Sequence, residues 1–435
     1  MTDADVDPQL SNQQGQSLAA SRVSVGMHQV LTLAVCMAIL QIGFGIVIPI
    51  FPYYILSMSL GGMELGILAA AYAMAQILLA GPLGHLSDRT GRKPVLVTAM
   101  VGFAAANVLY SLATDIYVMI VARIVEGAVS AGFFPAANAF VADVTAPTAR
   151  GKAMGFLSAG GMVGFIIGPT LGGVLAEFFG FRLPFIITAI ITLVTLAALH
   201  LLITEPEHHR ESTVNERGIH VFEILSRNSS AYAALAVSVF ANVFAIGILE
   251  VAFTLDAVER FRVTPLQIGL FFGVVGAITI CGSIGFGLES DRLGRKWPIV
   301  LGSFLGAVSM LIFMQATEIV GLLEGAAVLG LAISLRGPTT QAMVADLTDK
   351  NAYGAVMGVF GMVNNTAYVI GPLLAGYLYS ETGVATGSLF LASIVSLAGC
   401  VTAIVGLPSV KPNSKSHDAV DAIAGPQDRV GPQFT

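Results

Sequence analysis

The ten residues Gly84–Lys93 read GHLSDRTGRK, and Gly287–Lys296 read GLESDRLGRK. Seven of the ten positions are identical, at an offset of 287 − 84 = 203 residues. The same offset carries Gly66 to Gly269, Pro135 to Pro338, Val141-Ala142-Asp143 to Val344-Ala345-Asp346, Gly155 to Gly358, and Gly168-Pro169 to Gly371-Pro372. One gap-free register over that distance means the chain holds two copies of a single unit, arranged in parallel.

Outward from the decapeptide the sequence is dominated by apolar stretches separated by short polar breaks. Twelve are long enough to cross a hydrocarbon core of about 30 Å as helices at 1.5 Å per residue. We number them α1–α12, at about 29–56, 64–86, 94–113, 116–141, 153–179, 182–204, 231–256, 265–288, 297–316, 319–344, 353–379 and 385–407. Pro and Gly recur inside them, and in lipid only a helix satisfies every backbone group of runs this long. The composition agrees: 55% of the 435 residues are apolar and 11% charged, where a soluble domain carries about 25% charge. The expected fold is therefore an all-α integral membrane protein, two pseudo-symmetric six-helix bundles related by an axis along the membrane normal. Such an arrangement puts its working cavity between the halves. The expected divisions are a tail over 1–28, a bundle over 29–204, a linker over 205–230, a bundle over 231–408 and a tail over 409–435. The first 27 residues lack the basic start and small-residue cleavage site of a secretory signal.

Lys and Arg set the orientation. With both termini cytoplasmic, 16 of the 21 basic residues fall on inside segments, three (Arg182, Arg260, Arg262) outside and two (Arg123, Arg336) within helices. The positive-inside rule then gives N-in, C-in. Basic residues placed by topology form no nucleic-acid patch. The cysteines Cys36, Cys281 and Cys400 are isolated, so neither a disulfide framework nor a metal site is expected. There is no GxxxxGK[ST], HExxH or GxSxG segment, which argues against an ATP-driven pump or an intramembrane enzyme, and no cofactor is expected.

The loop Gly84-x-x-x-Asp88-Arg89-x-Gly91-Arg92-Lys93, in a twelve-helix chain with a second copy, resembles the signature of the major facilitator superfamily of secondary transporters. In one copy alone such basic residues serve as a topological anchor. The resemblance implies a gate that holds the cytoplasmic side shut in the outward-open state, a role carried to Gly84, Asp88, Arg89, Gly91 and Arg92 and, in the second copy, to Asp291, Arg292 and Arg295. Gly84 would allow a close backbone approach, and Asp88 beside guanidinium groups can make charge-assisted bonds that break and re-form. The second copy departs where Glu289 replaces the apolar Leu86.

In α5, Gly164-x-x-x-Gly168-Pro169-x-x-Gly172-Gly173 is similar to the motif of the drug:proton antiporter branch, though small residues in this spacing also serve ordinary helix packing. In α1, Gly43-x-Gly45-x-x-x-Pro49-x-x-Pro52 resembles the multidrug and tetracycline exporters, with Gln41 where they often carry an acid. In α4, Arg123-x-x-Glu126-Gly127 is similar to the antiporter Arg-x-x-Gln-Gly with glutamate for glutamine.

Charges at bilayer depth cost about 2.5–3.5 kcal/mol on insertion scales, so each needs a partner or a function. Arg123 and Glu126 share a helix face and can pair; the pair is either structural or part of proton coupling. Glu250 in α7 and Arg336 in α10 have no charged counterpart at the repeat offset, where Val47 and Phe133 stand. Glu250 is the second expected proton carrier. Arg336 either neutralises a helix terminus or meets an anionic substrate. Asp256 and Glu324 read as residues near the outer interface, Glu324 by snorkelling. Asn364, Asn365 and Tyr368 in α11, with Tyr72 and Gln76 in α2 and Gln41 in α1, are polar candidates for the substrate cavity or for interhelical hydrogen bonds.

The resemblance spans residues 29–407 and implies proton-coupled efflux of an amphipathic small molecule or drug, with the lipid bilayer, the substrate and protons as partners. It also implies a monomer in a prokaryotic inner membrane. Two other readings stay open on the sequence: a proton-coupled uptake symporter for a sugar or organic anion, and a lipid exporter or flippase of the same fold.

Overall fold

The computed structural model describes residues 8–146, 149–205, 221–348 and 352–408, with side chains undescribed at 8–25, 221–222, 284 and 287–293. The expected linker therefore lies mostly, and the C-terminal tail entirely, outside the described residues. Twelve helices among them are long and apolar enough to cross a membrane. They are α1 Pro8–Ser57, α2 Gly62–Thr90, α3 Arg92–Leu112, α4 Ile116–Val144, α5 Arg150–Phe179, α6 Leu183–Leu202, α7 Ser229–Glu259, α8 Pro265–Leu293, α9 Lys296–Gln315, α10 Ile319–Leu347, α11 Tyr353–Thr382 and α12 Thr386–Gly406. A seven-residue helix, Val221–Arg227, precedes α7.

The spans fall where the apolar runs predict, with one difference at the start. Backbone helix begins at Pro8, not near residue 29. An apolar window marks where a helix enters lipid, not where it begins, and the polar Gln13, Gln14 and Gln16 ahead of it are good helix formers.

The repeat is visible in the turns. Gly91 (φ +106°) and Gly294 (φ +87°) close α2 and α8, and Gly180 (φ +82°) and Gly383 (φ +68°) close α5 and α11, each pair 203 residues apart. These positive dihedrals are accessible to glycine at little cost, so the turn chemistry is duplicated with the helices.

Within the first half, α1 and α5 meet backbone to backbone. A Cβ added at Gly164 would stand 2.2 Å from Ala38 O, one at Gly168 2.6 Å from Ile42 O, and one at Gly172 2.8 Å from Ile46 Cα. Outside the bundles, large apolar side chains face outward, such as Leu201 at 78% and Val405 at 82% exposure. An apolar perimeter of this kind is what a lipid-facing surface requires.

Among the described residues, the close approaches between the halves lie at one end. There, a Cβ at Gly66 would lie 2.5 Å from Pro372 O, and its repeat mate Gly269 2.5 Å from Pro169 O. A Cβ at Gly376 would lie 2.3 Å from Gly62 O, and at its mate Gly173 2.4 Å from Pro265 O. Thus α2 seals against α11 and α5 against α8 through the same four-residue device used twice. Met63 N donates to Ser380 Oγ at 3.0 Å and the Tyr53 hydroxyl donates to Val263 O at this end. Toward the end that carries the Gly91 and Gly294 turns, glycines of the same four helices, Gly81 and Gly84, Gly155, Gly285 and Gly358, meet nothing within 4 Å. Among the described residues, the halves are thus closed against each other at one end and open at the other.

Candidate proton-coupling and substrate site

Arg123 sits in the second turn of α4 from the closed end, 1% exposed. Its Nη1 donates to Glu126 Oε2 at 3.0 Å, the i,i+3 pair that the spacing predicts. Its Nη2 lies 3.7 Å from Glu250 Oε1 of α7, an ion pair that crosses from one half to the other. Three rings surround the guanidinium, with Cζ 4.6 Å from the Phe51 centroid, 5.7 Å from Tyr72 and 5.8 Å from Phe44. The Tyr110 hydroxyl donates to Glu126 Oε2 at 2.7 Å, and that of Tyr368 donates to Glu250 Oε2.

Glu250 reaches this position from a distorted segment. Residues Leu249–Phe253 form a π-turn inside α7, and Thr254 Oγ1 donates to Glu250 O at 2.5 Å. A π-turn adds a residue to the helical circuit and so rotates the side chains that follow relative to an uninterrupted α-helix.

At 3.7 Å and an effective dielectric of about 20, the Arg123–Glu250 attraction is worth about 4.5 kcal/mol. Desolvating both ions offsets much of that gain, but removing one partner from a buried pair costs about 3–5 kcal/mol. The pair is therefore a link whose presence or absence matters more than its net stabilisation. With Arg123 and both carboxyls ionised the cluster carries a charge of −1, and a single proton makes it neutral.

Beside the cluster, Phe44 of α1, Tyr72 of α2, Phe165 of α5 and Tyr368 of α11 form an aromatic group between the halves. Phe44 lies 5.1 Å from Tyr72, 6.1 Å from Phe165 and 6.4 Å from Tyr368, centroid to centroid. The Tyr72 hydroxyl donates to Ser130 Oγ at 3.2 Å and accepts from Gln76 Nε2 at 2.8 Å, so the predicted i,i+4 pair forms. Gln41 is half-buried beside Gly161 of α5. The polar stripe expected on α11 divides. Tyr368 turns to Glu250, whereas Asn364 lines a separate cavity of about 240 Å³ between α7, α10 and α11 with Arg336, Asn242, Thr340 and Gln341. Asn365 is half-buried and is not among that cavity's lining residues.

At the open end, Arg92 Nη1 pairs with Asp88 Oδ1 at 2.5 Å and its Nε lies 3.6 Å from Asp143 Oδ2 at the end of α4. The second copy repeats the latter contact, with Arg295 Nε 3.2 Å from Asp346 Oδ2, both residues displaced by 203. Arg89 is exposed. The side chains of Asp291 and Arg292 lie outside the described residues. The close approach expected at Gly84 is not made, because the helices have parted at this end. Glu205, just past α6, receives Arg92 N and Lys93 N at 2.7 Å each and so caps α3 from a distant segment.

Two expectations at the periphery resolve differently. Glu324 is exposed, in keeping with snorkelling. Asp256 is buried between helices at the closed end: its Oδ1 accepts from Ala385 N at 3.3 Å at the start of α12 and its Oδ2 lies 3.7 Å from Arg260 Nη1. A helix N-terminus supplies the donors that make burial of that carboxylate tolerable.

Phe44, Phe51, Tyr110 and Glu205 are site residues that composition and spacing do not single out. For Phe44 a faint signal exists, a large ring held between Gly43 and Gly45 in the α1 motif.

Comparison with known proteins bears on the family and the fold. The sequence profile of the Major Facilitator Superfamily matches residues 33–249 and 235–429. Multidrug resistance protein 2 of Bacillus subtilis (strain 168) is 28% identical over 343 residues, covering 78% of this chain and 85% of that protein. The class B tetracycline resistance protein of Escherichia coli is 27% identical over 357 residues, covering 78% and 86%. Quinolone resistance protein NorA of Staphylococcus aureus (strain COL) is 23% identical over 385 residues, covering 87% and 96%. Among solved structures, a bacterial homolog to the human lysosomal transporter Spinster, inward-facing and occupied, superposes with a TM-score of 0.74 at 14% identity over 88% of this chain and 96% of that one.

Proposed function

The chain belongs to the Major Facilitator Superfamily, and on that premise we propose that it exports amphipathic small molecules in exchange for protons by alternating access. It is a multi-pass membrane transporter, not an enzyme, and bacterial efflux proteins are among its relatives at modest identity. With N-in, C-in topology from the Lys and Arg distribution, the open end is cytoplasmic and the structure is the inward-open state.

The observation that carries this reading is the Arg123–Glu250 ion pair across the two halves, beside Glu126 and buried at membrane depth. In the inward-open state the ionised Glu250 helps hold the outer end shut through Arg123. Substrate entering from the cytoplasm beside Arg123 displaces its bond to Glu250, and the outer seal between α2 and α11 and between α5 and α8 can part. Substrate bound among Phe44, Tyr72, Phe165 and Tyr368 is then presented outward. Glu250 takes up a proton from the outer side as substrate leaves, the protonated carrier returns to the inward-open state, and release of that proton to the cytoplasm restores the negative cluster and the link. Each proton crossing 100 mV contributes about 2.3 kcal/mol, and a tenfold substrate gradient requires about 1.4 kcal/mol, so one proton per cycle suffices for useful accumulation.

The test uses proteoliposomes under an imposed pH gradient, with a tetracycline and a quinolone as probes, because the names of two relatives point to those classes. The reading expects gradient-driven uptake that collapses in Glu250→Gln while substrate–substrate exchange continues. Gradient-driven uptake that survives in both Glu250→Gln and Glu126→Gln overturns it.

A further inference from the structure

The fold handles its two membrane-buried arginines in opposite ways. Arg123 faces two carboxylates and three rings. Arg336, 4% exposed, has no carboxylate in ion-pair range among the described residues; its Nη2 donates to Asn242 Oδ1, and its buried Nε and Nη1 have no hydrogen-bond partner. Space is nevertheless made for it. A Cβ at Gly302 of α9 would stand 2.9 Å from Arg336 Cβ, and one at Gly306 3.9 Å from both terminal guanidinium nitrogens. Thr340, one turn further along α10 on the same face, also leaves its buried hydroxyl unpartnered. Both residues line the cavity of about 240 Å³ that Asn364 and Gln341 complete.

A buried guanidinium without a counter-charge is costly, and water can satisfy its N–H groups without neutralising it. An anion would satisfy both the charge and the free N–H groups of Arg336. Next to this cavity runs an apolar groove of about 320 Å³ lined by Tyr232, Ala236, Val359 and Val363, and Phe360 forms part of both walls. We propose that Arg336, Thr340 and Asn364 form an anion subsite that takes the carboxylate or phosphate end of an amphipathic ligand, with its apolar body along the groove beyond Phe360. This assigns a substrate class within the transport reading, but it concerns binding alone, so either idea can fail without the other.

The experiment measures equilibrium binding to the full chain in phosphatidylcholine nanodiscs with no gradient, using 1-naphthaleneacetate and its uncharged amide as probes. The acid is expected to bind about tenfold or more tightly than the amide, the usual scale of a charge-assisted contact. Arg336→Gln is expected to bring the acid down to the amide's affinity without changing the amide, and Arg336→Lys to restore part of the preference. Thr340→Val, a nearly isosteric change, is expected to weaken the acid about threefold, and it serves where Arg336→Gln does not fold. Equal binding of acid and amide to the wild type overturns the proposal, as does a full preference retained in Arg336→Gln. In nanodiscs containing phosphatidylglycerol, loss of acid binding identifies a lipid phosphate as the occupant, and unchanged binding a soluble anion; both outcomes uphold the anion site.

Discussion

Arg123 and Glu250 stand 127 residues apart in sequence, on α4 of one half and α7 of the other, and their side chains meet at 3.7 Å inside the membrane region. Glu250 can reach across because a π-turn interrupts α7 where it sits. Arg123 is held on the opposite side by Glu126 and by the rings of Phe51, Tyr72 and Phe44. Arg123 is thus fixed in its own half, and its bond to Glu250 is the part that changes when the halves separate.

Loss of the link without loss of fold is the first expectation. Glu250→Gln keeps the shape and a hydrogen bond to Tyr368, so the protein should remain folded, while the outer end opens more readily. Accessibility of a cysteine placed near Tyr53, read by a membrane-impermeant maleimide, should rise several-fold over the parent. Arg123→Gln strands two carboxylates and should destabilise the fold by about 3–5 kcal/mol unless they take up protons, seen as a lower Tm at neutral than at acidic pH.

Closure of the outer end depends on four glycines with no room for a side chain. Gly66→Leu places a branched side chain where Pro372 O lies 2.5 Å from the Cβ position, and Gly269→Leu does the same against Pro169 O. Backbone cannot yield there as a flexible side chain can. Each variant should bind substrate, lose about nine-tenths or more of its transport, and show the outer cysteine permanently labelled. Gly84→Leu in inward-open protein meets open space, so it should leave the inward-open state intact and impair only the return to the state in which the cytoplasmic end closes.

On the proposed topology that end is cytoplasmic, and there Asp88→Asn removes the charge paired with Arg92 at 2.5 Å. Transport should be abolished with the folded protein retained, because the gating bonds must break and remake in each cycle. Transport at the parental rate by Asp88→Asn contradicts the gating assignment.

Glu205 is expected to act on stability more than on transport. Its carboxylate satisfies two N-terminal N–H groups of α3. Glu205→Gln should cost about 1 kcal/mol, the scale of a lost cap, detectable as a Tm decrease of a few degrees with substrate affinity unchanged.

The twelve spans, the duplicated unit and the Arg123–Glu126 pair were legible because each depends on local spacing: an apolar window, a 203-residue register, an i,i+3 face. The π-turn register that carries Glu250 to Arg123 was not, since one extra residue in a helical circuit leaves no mark in hydropathy. Tyr110 and Phe51 gave no signal either, as aromatic residues are common throughout an apolar helix. The α5 motif shows both sides. Its glycine spacing announced close packing, but only the fold reveals that Gly164, Gly168 and Gly172 face α1 within the half while Pro169 and Gly173 seal the halves against each other. The loop motif predicts a close backbone approach at Gly84, and in this conformation a Cβ there would meet nothing within 4 Å.

The coupling of export to protons is tested most directly by the direction of proton movement that substrate itself drives. In proteoliposomes with a pH dye trapped inside and no imposed gradient, a transportable probe is added outside so that it runs downhill into the lumen. Exchange for protons through the Arg123–Glu126–Glu250 cluster predicts that the lumen becomes alkaline as substrate enters, and that Glu250→Gln abolishes the signal. Acidification of the lumen, or substrate entry with no pH change in the parent protein, contradicts it.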